Sequence, residues 1–192
     1  MSEEILKKYI KCYENFLSKD LCKKTISKLN KQENKNTYKK HSFYDANKNI
    51  NISFENELKI SWVEIPEKQI IQNKLWFAIE QYILKDFKCD WFCNWQGYEQ
   101  LRFNKYDINT NMKKHWDQIH SMFSGEKKGV PILSIVGVLN DNYEGGDFIM
   151  WETEKIKLPQ GSIMIFPSNF MYPHKVTPVT SGTRYSYVSW TY

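Results

Sequence analysis

The chain has 192 residues, with 27 lysines and arginines against 22 acids for a formal charge of +5, and it is 41% hydrophobic and 16% aromatic. That length and apolar share suffice for a buried core and exclude a disordered chain. The longest apolar stretch, 130–139, is far below the ~20 residues that cross a bilayer, and no nucleic-acid motif accompanies the lysines, so neither a membrane nor a nucleic acid is an expected partner.

Residues 1–11 alternate charged and apolar side chains without the apolar run of an export signal, so a reducing, cytoplasmic setting is expected. Cys12, Cys22, Cys89 and Cys93 then read as free thiols, because Cys89-x-x-x-Cys93 has no second pair with metal-ligand spacing. Ser18 is a good N-cap for a helix over 19–29 whose face carries Leu21, Cys22, Thr25, Ile26 and Leu29. Residues 31–51, rich in Lys and Asn, read as an irregular excursion in which His41 has no role in the chemistry. A second helix follows Pro66 over 67–84, with Ile70, Ile71, Leu75, Trp76, Ile79 and Ile83 expected on its buried side.

From Tyr98 the pattern changes to short apolar runs between turns. Strands are predicted at 99–106, 112–118, 132–140, 147–151, 155–158, 162–166, 172–176 and 183–190, with Gly145-Gly146, Gly161 and Gly182 at turns. Eight such strands behind two helices give an α+β, mainly β fold class, a jelly-roll (double-stranded β-helix) core supported by N-terminal helices. One domain is expected over 1–192, with 1–97 as helical support and lead-in strands and 98–192 as the catalytic core.

On the second of these strands stands His115-Trp116-Asp117, followed 57 residues after Asp117 by His174 and ten residues later by Arg184. Residues i and i+2 of a strand share a face, so His115 and Asp117 can converge on one metal while Trp116 points away. Two imidazoles and a carboxylate leave half of an octahedral shell open, the ligand set of a non-haem Fe(II) oxygenase. The chain turns at 178–182, a hairpin expected to return Arg184 to the neighbourhood of His174. Only two of the basic residues are arginines, Arg102 and Arg184, and a guanidinium offers a carboxylate a fixed fork that an ammonium cannot.

These residues resemble the Fe(II)/2-oxoglutarate-dependent oxygenases, in particular their prolyl 4-hydroxylase-like branch, over roughly 98–192. The run His174-Lys-Val-Thr-Pro-Val-Thr-Ser-Gly-Thr-Arg184-Tyr-Ser matches the family's pattern, as do Tyr106 nine residues before His115 and the Gly145-Gly146 turn. Asn109-Thr110 departs from the Gly-Gln that many relatives carry. The resemblance implies iron ligation by His115, Asp117 and His174, with Arg184 pairing the far carboxylate of 2-oxoglutarate. It implies Fe(II), 2-oxoglutarate and O2 as cofactor and cosubstrates, with ascorbate as a further candidate. Tyr106 is implied to contact the cosubstrate, Ser134 to sit beside its distal carboxylate, and Ser186, on the Arg184 face by alternation, is a weaker candidate for the same pocket.

By the same resemblance the substrate is a prolyl residue of a protein or peptide, with a free amino acid, a lysyl residue or a small metabolite as alternatives. Small bacteriophage hydroxylases are also similar in look, which would place the protein in a host cytoplasm. Asp117 argues against a halogenase, which lacks that carboxylate. Trp190 stands where nucleic-acid demethylases carry a second arginine. The segment 118–130, with Gly125 and Gly129, is expected to form a mobile lid over peptide, and His120 at its start reads as exposed or substrate-facing. Trp116, Trp151 and Trp190 read as packing or pocket walls. The rival from another class is a non-catalytic metal- or sugar-binding jelly roll, which needs no Arg184.

Overall fold

In the computed structural model the chain is described over residues 3–33, 36–45, 48–88, 92, 95–118 and 130–192. The expected lid and His120, and Cys89 and Cys93 with them, lie outside the described residues. No helix is long and apolar enough to cross a membrane among those described.

A short helix α1 (Glu3–Lys7) and strand β1 (Lys11–Tyr13) precede helix α2 (Lys19–Glu33), which Ser18 caps by accepting the Leu21 N–H on its hydroxyl at 3.2 Å. The 31–51 stretch, expected to be irregular, holds the end of α2 and strands β2 (Lys39–Lys40), β3 (Phe43–Asp45) and β4 (Ile50–Ile52). Its polarity misled because β3 and β4 form a two-stranded hairpin by themselves, and β2 is an exposed edge strand. Strand β5 (Lys59–Ser61) leads to helix α3 (Pro66–Glu80), which continues as a π-helical turn over Gln81–Asp86. Ile71, Leu75, Ile79 and Ile83 are buried as expected, but Ile70 and Trp76 are 47% and 49% exposed. The buried stripe runs through Ala78 and Tyr82 instead, which turns Ile70 to solvent and leaves Trp76 to pack on Trp95 at 4.6 Å between ring centres.

All eight strands predicted from the second half are present: β6 (Arg102–Tyr106), β7 (Met112–His115), β8 (Leu133–Val138), β10 (Phe148–Met150), β11 (Glu154–Ile156), β12 (Ile163–Pro167), β13 (His174–Val176) and β15 (Arg184–Trp190). Two short strands were not foreseen, β9 (Glu144–Gly145) and β14 (Val179–Ser181). They pair into a two-stranded ladder, while the rest make a seven-stranded sheet, β1-β12-β8-β15-β6-β5-β2, and a four-stranded sheet, β11-β10-β13-β7. The architecture is a jelly roll whose larger sheet is backed by helices.

Alternation explains why β8, β12 and β15 read as nearly continuous apolar runs. Phe103, Ile135, Ile163, Ile165, Tyr185 and Tyr187 face α2 and α3, joining Leu29, Ile71, Leu75 and Ile79 in one core. Tyr106, Val136, Met164, Phe166, Val188 and Trp190 face the smaller sheet, joining Phe148, Met150 and Val176 in a second. A sheet covered on both faces has no solvent-facing side. The close fit shows at Gly137, where an added Cβ would lie 1.9 Å from the Tyr187 ring. Truncating a buried aromatic such as Phe103 costs about 3–5 kcal/mol, which makes these cores the scaffold on which the polar interior residues are held.

One connection differs from expectation. Arg184 does come to line one cavity with His174, but segment 178–182 does not join the two as a hairpin. β14 pairs with β9, and the chain then enters the opposite sheet, where Arg184 is paired with Tyr106.

Candidate functional site

His115 ends β7 and stands directly opposite His174 in the antiparallel ladder, with ring centres 4.3 Å apart. The ladder shifts register here and β7 stops at His115, so Asp117, expected on the strand, lies just beyond it. The two residues nevertheless converge, and Trp116 between them is 48% exposed. The three side chains place their ligand atoms within 4.8 Å of one another. His115 Nε2 is 3.4 Å from Asp117 Oδ1, and His174 Nε2 is 3.8 Å from Oδ2.

Each imidazole is oriented through its other nitrogen. Nδ1 of His115 lies 2.7 Å from the Lys113 carbonyl and Nδ1 of His174 lies 3.1 Å from the Tyr172 carbonyl. A carbonyl can only accept, so each Nδ1 donates and each Nε2 keeps its lone pair for a metal. Phe148 stacks on His174 at 5.2 Å and Phe166 meets it edge-on at the same distance, while Phe43 meets His115 edge-on at 5.6 Å. Burial, then the neighbouring His115, push the His174 imidazole down to about 4, which keeps it neutral at physiological pH. Burial works to raise the Asp117 carboxyl, but His174, His115 and the Ser134 hydroxyl outweigh it and hold the group well below the usual carboxylate range. A deprotonated carboxylate beside a neutral His174 and the ring of His115 suits a divalent cation.

The site's other wall is the interior face of the larger sheet. Arg184 is 1% exposed, lies 4.8 Å over the Tyr106 ring and donates from Nη1 to Ser186 Oγ at 3.0 Å. Its Nε is a buried donor without a partner among the described residues. An orphaned guanidinium N–H inside a cavity fits an anionic ligand with acceptor oxygens, as the carboxylate of a keto-diacid supplies. Tyr106 is fully buried beside Arg184, and Ser186 orients the guanidinium.

The structure places Ser134 at the other end of the site from its expected position. Its hydroxyl donates to Asp117 Oδ2 at 2.6 Å and lies 2.8 Å from Ser168 Oγ. It holds the carboxylate of the metal triad, because its strand neighbours β15 on the side away from β6. His41, in the stretch read as an irregular excursion, is buried with Nδ1 3.2 Å from Glu57 Oε2. Sequence reasoning did not place Arg102 and Asn104, although alternation from Tyr106 along β6 sets all three on one face. Arg102, Asn104, Tyr106, Arg184 and Ser186 line a narrow cavity together with the triad. Beside it opens a wider cleft of about 550 Å³, walled by Phe43, Tyr44, Trp62, Trp116 and Trp190 and reached by Arg102, His115 and Asp117.

Comparison with known proteins adds the following. Residues 101–192 match the sequence model of the 2OG-Fe(II) oxygenase superfamily. A PKHD-type hydroxylase of Prochlorococcus marinus is 49% identical over 95 residues, 47% of this chain and 40% of that protein. A PKHD-type hydroxylase of Hyphomonas neptunium is 45% identical over 53 residues, 26% of this chain and 23% of that protein. The chain thus matches less than half the length of these curated relatives. Among solved structures, a Trichoplax adhaerens prolyl hydroxylase in complex with a hypoxia inducible factor peptide fragment superposes with a TM-score of 0.73 at 16% identity, covering 99% of this chain and 86% of that one. A Pseudomonas putida prolyl-4-hydroxylase gives 0.69 at 17% identity, covering 98% and 95%. At such identities the likeness is one of fold.

Proposed function

Residues 101–192 belong to the 2OG-Fe(II) oxygenase superfamily, and from that premise we propose that this protein is a prolyl 4-hydroxylase-like, 2-oxoglutarate-dependent dioxygenase that hydroxylates a prolyl residue of a protein or peptide. In this reading the chain is a single oxygenase domain, with 1–97 supporting the catalytic 98–192. The observation that carries it is the convergence of His115, Asp117 and His174 across one cavity from Arg184, whose buried Nε has no acceptor among the described residues.

When bound, Fe(II) with 2-oxoglutarate and O2 supplies the chemistry that turns an unactivated C–H bond into C–OH, with release of succinate and CO2. The chain's residues make that chemistry selective. His115 and His174 offer Nε2 donors, and Asp117 contributes one negative charge, kept ionised by its surroundings. Arg184 takes the far carboxylate of 2-oxoglutarate, and the Tyr106 ring and Ser186 hydroxyl keep the fork in place. Phe148, Phe166 and Val136 exclude water around the triad, which strengthens each polar contact inside. The aromatic cleft beside the metal cavity offers stacking faces to an apolar pyrrolidine ring. The prolyl assignment draws its support from that cleft and from the names of the similar structures.

The test has two stages. Anaerobic protein loaded with Fe(II) and 2-oxoglutarate should develop a weak visible charge-transfer band, and admitting air should release succinate. Proline-containing peptides should then gain 16 Da by mass spectrometry. Metal-replete protein that gives neither band nor succinate would establish the binding module instead.

A further inference from the structure

Arg102 is the second arginine of a chain that otherwise uses lysine, and it is buried on β6 two residues from Asn104 and four from Tyr106. Among the described residues its guanidinium makes one hydrogen bond, Nε to Asn104 Oδ1 at 3.1 Å, and no ion pair. One face lies over the Trp190 ring at 5.0 Å. These two contacts fix the plane of the fork without neutralising it. Asp117, the acid whose charge acts on Arg102, belongs to the His-Asp-His cluster and makes no ion pair with it. Burial disfavours the cation, and only the more distant influences of Tyr106 and Asp117 act in its favour. A buried, oriented guanidinium whose terminal nitrogens meet no protein acceptor among the described residues is an anion site in want of its anion.

Its position says whose anion. Arg184 lines only the deep cavity, whereas Arg102 lines both that cavity and the open aromatic cleft. In the oxygenase reading, on which this inference rests, one carboxylate of 2-oxoglutarate goes to Arg184 and the other to the metal. Arg102 is left facing the cleft through which substrate enters. We propose that Arg102 is an anion subsite at the seam of cavity and cleft, and that the substrate presents a carboxylate there, next to the C–H bond to be hydroxylated. A free amino acid, or a residue at the carboxyl end of a peptide, satisfies this. An internal prolyl residue, whose own carbonyl is an amide, does not. The subsite therefore narrows the prolyl assignment to a prolyl group with a free carboxylate, and it favours a small acid should that assignment fail.

The test compares acids with amides. Protein holding Zn(II) and 2-oxoglutarate is titrated calorimetrically with the protein amino acids, with glycyl-L-proline, and with the α-amide of each. At least one acid should bind roughly tenfold or more tighter than its amide, as expected when a charged fork meets a carboxylate. Arg102→Gln should remove that preference while weakening 2-oxoglutarate less than it weakens the acid, and Arg102→Lys, which keeps charge but not the fork, should retain part of it. The proposal fails if every acid and amide bind alike in the unsubstituted protein, a comparison that needs no variant, or if no compound binds. It also fails if the preference survives Arg102→Gln, or if that variant weakens 2-oxoglutarate the more, which would assign the fork to the cosubstrate. Loss of the oxygenase reading would show separately, as absence of succinate from the Fe(II)-loaded, unsubstituted protein in air.

Discussion

The two walls of the cavity are built from the same kind of strand and carry opposite charge. The smaller sheet brings His115 and His174 face to face with Asp117 just past the strand end, two imidazoles and one anion. The interior face of the larger sheet brings Arg102 and Arg184, two buried cations on neighbouring strands. In the proposed function one wall would take a divalent cation and the other anions, and a ligand bearing two carboxylates would bridge them. The contrast teaches that alternation supplies most of the two-sided site of this jelly roll, since each sheet turns every second residue inward, while the one anion, Asp117, is added just past a strand end.

Removing a metal donor should break the comparison most. His174→Ala should weaken Fe(II) or Co(II) by more than roughly a hundredfold, beyond the range typical of outer partners, and abolish succinate formation, as measured by metal titration and product analysis. Stripping the metal should expose the acid sensitivity of the same wall. The His174 imidazole in the fold titrates at about 4, below its unfolded value near 6.5, so the unfolded chain takes up the proton first. Stability of the metal-free protein is therefore fully present above about pH 6.5 and is lost as pH falls toward 4, by up to about 3 kcal/mol from this group, with Asp117 adding in the same direction at lower pH. Urea unfolding midpoints across that window read the effect, which His174→Gln should largely remove.

On the opposite wall, Arg184→Met should weaken 2-oxoglutarate by roughly thirtyfold or more with little change in metal affinity, since it deletes a buried charged partner. Equal 2-oxoglutarate affinity in that variant would show that the two walls do not divide their ligands as argued. Ser134→Ala sharpens the comparison from the metal side: with Asp117 Oδ2 losing its donor, metal affinity should fall about tenfold and 2-oxoglutarate affinity at fixed metal saturation should hold. The smallest effect belongs to Gly146→Ala. Its φ is +60°, and the added Cβ would lie 3.0 Å from Arg184 Cδ, so 2-oxoglutarate affinity should drop only about threefold to tenfold as the arginine is nudged.

Much of this site was legible before the fold was known, for a local reason. The i, i+2 spacing of His115 and Asp117 and the alternation that sets Ser186 with Arg184 depend on backbone geometry within a few residues. The eight later strands were legible likewise, because turn residues bracket each apolar run. What failed was non-local. Ser134 carries a small hydroxyl on an inward position, and nothing near it in sequence says that Asp117 lies within 2.6 Å. His41 sits in a polar stretch, and only the pairing of β2 with β5 and the contact with Glu57 bury it. Ile70 was assigned to the wrong edge of its helix because an apolar residue one position off the stripe looks the same in a periodicity count.

By itself, then, the order of residues determined the alternation of faces and the mainly β character, which follow from geometry repeated every two residues, and it singled out His115, Asp117 and His174 as the candidate ligands. Tertiary structure alone decided that Arg184 reaches the metal site from the opposite sheet, that Ser134 serves Asp117, and that Arg102 is sealed at a seam between two cavities. Those outcomes depend on which distant strands pair and which sheets face each other, long-range choices that no short-range period records.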